Sequence, residues 1–136
     1  MPGTNITQIE AAERSAILKV ASYAIDLDLT TGAENFRVKT TVKFAGLKPG
    51  ATTFIDCVGS KVYSAKLNGV EFDPKFDGET IYLPAIAADN VLEIEHDGVY
   101  SNSGEGLHRF VDPADDEVYL YTQFETGDAR RMYACF

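Results

Sequence analysis

Two stretches of strict alternation constrain this chain more than anything else in it. Tyr23, Ile25, Leu27 and Leu29 alternate with Ala24, Asp26 and Asp28. Phe36, Val38, Thr40, Val42 and Phe44 then alternate with Arg37, Lys39, Thr41 and Lys43. A side-chain period of two belongs to a strand with one face on a core and the other in water. Thr31-Gly32-Ala33-Glu34-Asn35 between them has turn composition, so the pair reads as a long antiparallel hairpin.

The rest of the chain continues the pattern in shorter pieces. Leu47-Lys48-Pro49-Gly50 breaks the second strand. Strands are predicted over 53–58, 62–67, 70–72, 80–83, 91–96 and 118–124, with the hairpin signal Asn68-Gly69 between two of them. One helix is predicted ahead of all this. Thr7 and Glu10 form a capping-box pattern, and Ile9, Ala12, Ala16 and Ile17 share a face at helical spacing. The stretch 97–116 carries Gly98, Gly104, Gly106 and Pro113 and no clear period. A connection that long reads as functional or interfacial. The expected architecture is all-β with a short N-terminal helix: a two-sheet β-sandwich or saddle-like antiparallel domain, one domain over 1–136.

Charge narrows the partners. Twelve Lys and Arg against 21 Asp and Glu leave a net charge of −9. That sign disfavours nucleic acid, whose phosphates need a basic surface, and anionic membranes likewise. No apolar run reaches the length of a membrane span. Met1-Pro2-Gly3-Thr4-Asn5 has neither a basic region nor an apolar one, so no signal peptide is expected. Cys57 and Cys135 read as free thiols in a reducing cytoplasm. The last residues, Met132-Tyr133-Ala134-Cys135-Phe136, form an apolar run, whereas chain ends are ordinarily polar and frayed. Truncation of a longer polypeptide is the expectation, with 132–136 mobile or docked on another copy; the alternative is a tail that docks on its own sheet.

Catalytic constellations are absent. There is no H-E-x-x-H, and Glu105 with His108 lacks a third or fourth ligand, so no metal site is expected. Cys57 sits inside a strand pattern and reads as an inert thiol. Ser101 and Ser103 have no G-x-S-x-G context. Gln123 and Glu125 differ from these. They end a strand of mostly apolar residues two positions apart, a spacing that points both side chains to one side of an extended chain. A carboxylate beside an amide suits a primary ammonium; a plain solvated strand end is the other reading.

Three segments carry a resemblance. Gly104-Glu-Gly-Leu-His-Arg-Phe-Val-Asp-Pro113, Tyr119-Leu-Tyr-Thr-Gln-Phe-Glu125 and Asp128-Ala-Arg-Arg-Met-Tyr-Ala-Cys-Phe136 closely resemble the aminopeptidase N family of gluzincin metallopeptidases, most of all its actinobacterial branch. The resemblance implies an N-terminal β domain that precedes a zinc-bearing catalytic domain on the same polypeptide. It implies no catalytic residue and no metal in this chain, with zinc in the parent enzyme. It also implies that Glu125 helps bind the free α-amino group of a peptide substrate and that Gln123 lines the pocket for the first residue. Arg130 and Arg131 read as interdomain contacts, and surface meant for the catalytic domain opens a route to a homodimer. The competing reading is a free-standing β-sandwich binding or adhesion module, for which Tyr119, Tyr121 and Tyr133 would supply the aromatic surface.

Overall fold

The computed structural model describes residues 5–136. The reading of Met1-Pro2-Gly3-Thr4 lies outside the described residues. The capping box forms as its spacing predicts. Thr7 Oγ1 accepts the Glu10 amide at 3.1 Å, the Glu10 carboxylate accepts the Thr7 amide at 2.7 Å, and helix α1 (Gln8–Ile17) follows. Its inner face differs from the one expected. Ile9 is 72% exposed and Ala12 and Ala16 face solvent, while Arg14 is buried. The cause is a partner that local periodicity cannot show: both terminal nitrogens of Arg14 reach Asp56, and its guanidinium lies 4.7 Å from the centre of the Phe54 ring. An arginine stem packs as apolar surface once its head is paired.

The helix runs directly into β1 (Leu18–Asp28), which pairs with β2 (Asn35–Gly46) as the predicted hairpin. β2 alternates as read, with Phe36, Val38, Thr40, Val42 and Phe44 all buried. β1 is an edge strand and only partly follows its pattern, because Tyr23 and Ile25, and Leu29 just past its end, stay more than a third exposed. β3 (Phe54–Asp56), β4 (Lys61–Leu67), β5 (Val70–Glu71), β6 (Thr80–Tyr82) and β7 (Asp89–Val99) come next. Asn68 and Gly69 both adopt positive φ, 53° and 81°, the geometry of a primed hairpin turn between β4 and β5. Among the described residues, one antiparallel sheet has the order β1-β2-β7-β4-β5, and β3 with β6 forms a second layer.

The core fills the space between those layers. Val42, Phe44, Leu92 and Ile94 from the large sheet meet Ile55 and Ile81 from the small one, with Cys57 and Leu83 just past its strands. Ile55 and Ile81 are wholly enclosed, each contributing about 1.5–3 kcal/mol by leaving water. The final residues belong to this layer. Asp56 and Cys135 exchange backbone hydrogen bonds at 3.0 and 2.9 Å, Ala134 is fully buried, and the Phe136 ring meets Phe44 edge-on at 5.2 Å. The expectation of a mobile or swapped tail is therefore corrected: it docks on its own sheet, because the small layer offers an open backbone edge and the core an aromatic partner.

The stretch 97–116 is also more ordered than its composition suggested. It holds the end of β7 and a further strand, β8 (Gly106–Val111), which pairs with β9 (Val118–Gln123). The glycines that read as breakers mark close approaches. A Cβ on Gly98 would lie 2.3 Å from the Phe36 ring. The β8–β9 hairpin touches the domain at its base, where Leu107 joins Phe36, Val38 and Tyr133 in a second, smaller core.

Candidate functional site

β9 is exposed along its whole length, an unusual state for a strand reading Val-Tyr-Leu-Tyr-Thr-Gln. On one face, cross-strand pairs stack: His108 on Tyr121 at 4.6 Å and Phe110 on Tyr119 at 5.7 Å. The next rung of that face, Gly106 opposite Gln123, is the last of the hairpin. Tyr133 does not join this surface; it packs at the base against Tyr23 and Phe124.

The two predicted ligand residues come together just past that rung. The strand alternation stops at Gln123, and Glu125 turns into the left-handed region at φ 40°. Its amide donates to the Gln123 side-chain oxygen at 3.2 Å. The pair is thus coupled by a hydrogen bond and a turn, rather than by the extended geometry the spacing assumed. Phe124 O accepts the Asp128 amide at 2.7 Å and closes the turn, which leads into a short 3-10 helix, Asp128–Arg131. A long side chain in left-handed backbone is costly and gathers at functional positions. Among the described residues, no ion pair engages the Glu125 carboxylate.

Glu125 opens onto a cleft of about 470 Å³. Asn5, the Arg14–Asp56 pair, Arg130 and Phe136 also line it. Arg130 Nη2 donates to Asn5 Oδ1 at 3.2 Å, and its carbonyl accepts the Val58 amide. Arg131 points elsewhere, donating to Asp128 Oδ1 at 2.8 Å and lying 3.7 Å from a Glu105 oxygen. The two adjacent arginines therefore have separate surroundings. Sequence reading missed Arg14 and Asp56, which stand 42 positions apart and carry no shared motif.

Neither histidine nor cysteine is set up for chemistry. His108 Nδ1 accepts the Gly104 amide at 3.0 Å. His96 is wholly buried, and burial pushes its imidazole down to about 4. Burial raises the Cys57 thiol far above its ordinary range and lifts Cys135 to about 11. Among the described residues, no three His, Cys, Asp or Glu side chains come together in a way that could hold a metal ion.

No protein-family model matches the chain. Aminopeptidase N of Streptomyces lividans is 49% identical over 141 aligned positions, which take in 100% of this chain and 16% of that protein. Along its whole length the chain is similar to a part of that aminopeptidase N. A leucyl aminopeptidase of Saccharolobus solfataricus is 26% identical over 88% of the chain and 15% of its own length. The chain thus spans about one sixth of the length of these aminopeptidases. Among solved structures, a variant M1 zinc metallopeptidase from Deinococcus radiodurans superposes with a TM-score of 0.69 at 19% identity, covering 88% of this chain and 29% of that one. The same variant with a Tyr-Ser-Ala substrate bound gives 0.68 at 18% identity, over the same shares. At that identity the likeness shows the fold. Among the described residues, no group of side chains fits the zinc named for that metallopeptidase: no three ligands come together, and His96 is enclosed in the core.

Proposed function

We propose that this chain is the non-catalytic N-terminal domain of a cytoplasmic zinc aminopeptidase, with the catalytic domain on the same polypeptide. Its part is to cap the active site and to anchor the substrate's free α-amino group through Glu125, with Gln123 beside it. The observation that carries this is the Glu125 turn. A carboxylate without a counter-ion among the described residues is held in left-handed backbone at the end of an exposed strand, bonded to Gln123 through its amide. An ammonium supplies the missing counter-charge through a charge-assisted hydrogen bond. Fixing the amine fixes the peptide bond one residue away, which is how an exopeptidase measures its cut.

The exposed aromatic face of β8–β9 is the surface proposed to meet the catalytic domain, with Arg130 at the cleft wall adding a polar contact. In the separate chain the same face is where two copies would pair as a homodimer. Kinetics of the longer enzyme test the reading. Glu125→Ala is expected to raise KM for substrates with a free N-terminus about 10- to 100-fold, the range for losing a charged hydrogen bond. Unchanged kinetics would sink it. The stacked Phe110, Tyr119, His108 and Tyr121 also fit a binding module that works alone. That reading requires a ligand for the separate chain, and a binding screen that gives none discards it.

A further inference from the structure

Arg131 stands where three segments of the candidate site meet. Its stem lies against Gly106, whose partner across the hairpin is Gln123: a Cβ on Gly106 would sit 2.7 Å from the Arg131 Cβ. Gly106 also holds φ 65°, so two separate reasons keep a side chain out of that position. From there the guanidinium spans outward. Nε bonds Asp128 at 2.8 Å, and Nη2 lies 3.7 Å from Glu105 on the loop before β8. Asp128 in turn donates its amide to Phe124 O, closing the turn that carries Glu125.

One side chain is therefore bonded to one end of that turn and packed on the rung partner of the other. It packs on Gly106, the cross-strand partner of Gln123 where the strand leaves for the turn, and it bonds Asp128 where the chain returns. We propose that Arg131 is a positioning residue for Glu125: it holds the 124–128 turn in the conformation that presents the carboxylate. This rests on the role given to Glu125 above, although the geometric part stands without it. The Arg131–Glu105 pair, with side chains 37% and 53% exposed, contributes little to folding. The Arg131–Asp128 bond is closer and its carboxylate only 19% exposed, so that bond is the link the experiment must separate from a general loss of stability.

Heteronuclear NMR on the 136-residue chain reads the geometry directly, through the intraresidue amide–Hα coupling and NOE that distinguish positive φ. Arg131→Met keeps the stem and removes the fork. Its expected result is loss of the positive-φ signature at Glu125 and displaced amide signals over 124–128, with β2 and β7 unmoved. Arg131→Lys, which keeps a charge within reach of Asp128, is expected to restore part of the signature. Asp128→Asn weakens the same link from the other end and serves if the arginine variant does not fold. In the longer enzyme, Arg131→Met is expected to raise KM about tenfold while kcat stays within about twofold, the mark of a misplaced binding group. An unaltered φ at Glu125 in both Arg131→Met and Asp128→Asn overturns the inference whatever Glu125 does in catalysis. If instead Glu125→Ala has normal KM, the functional reading falls, and the NMR result still decides whether Arg131 sets the turn.

Discussion

Both terminal nitrogens of Arg14 lie 3.1 Å from one oxygen, Oδ2 of Asp56, with side-chain exposures of 9% and 13%. This pair fixes the helix on the small layer and lines the cleft that Glu125 opens onto. Removing one partner leaves the other charge enclosed, and such losses cost about 3–5 kcal/mol. Asp56→Ala is expected to lower the stability of the chain by that amount in urea unfolding. A loss under about 1 kcal/mol, the value of an exposed pair, would contradict this account.

His96 gives stability a defined acid limb. It lies on β7 between Val38 of β2 and Val62 of β4, and neither ring nitrogen has a hydrogen-bond partner among the described residues. Burial lowers its pKa to about 4, against an ordinary 6.5, and the adjacent Asp97 only partly offsets this. The unfolded chain takes up this proton near 6.5 and the folded chain only near 4, so the unfolded state holds more protons across that window. Stability therefore falls as pH drops from about 6.5 to about 4, by on the order of 3 kcal/mol from this group, and no further below. Asp97 itself sits below the ordinary carboxylate range, since hydrogen bonds from Tyr63 and Arg37 outweigh burial, and its contribution is lost at lower pH. His96→Leu is expected to flatten the 4–6.5 window in denaturation measured against pH. An unchanged slope would show that other groups carry it.

Gly98 faces the Phe36 ring, and Phe36 is fully enclosed. A methyl group there has nowhere to go unless β2 and β7 separate. Gly98→Ala is expected to destabilise by about 1–3 kcal/mol or more, as overpacked cores do. Its midpoint in urea should shift with little change in slope.

Glu125 is predicted to be better for the site than for the fold. Replacing it with glycine relieves the left-handed backbone of about 1–2 kcal/mol, less about 0.5–1 for glycine's extra freedom when unfolded. Glu125→Gly is therefore expected to raise stability slightly in thermal melts while the longer enzyme loses substrate affinity. A stability loss would mean that the glutamate side chain makes contacts that favour the fold.

Local pattern carried the parts of this fold that depend on neighbours in sequence. The alternation of 36–44, the Asn68-Gly69 turn and the Thr7–Glu10 cap all appear where their residues place them, because each is decided within a few positions. What failed to show was decided across the fold. The helix turned Arg14 inward because of Asp56, and the strand after Glu105 hid behind glycines that are there for close packing. At the candidate site, Gln123 and Glu125 stood out through their spacing and family motif. Their left-handed turn did not, since nothing in Gln-Phe-Glu requires a positive φ, and the Arg131–Gly106 contact that borders it joins the start of β8 to the short helix 25 positions on.

The tail pairing has a consequence for how the protein is made. Tyr23, near the start, accepts the amide of Phe136 across 113 positions, and Ala134 seals the core that β2 helped to build. A nascent chain emerging from the ribosome can complete the first hairpin early. It cannot close the second layer until residues 134–136 have cleared the exit tunnel. Until then Ile55, Ile81 and Phe44 lack part of their cover, so the interval between synthesis of β9 and release of Phe136 is when this domain is most open to chaperones and to aggregation.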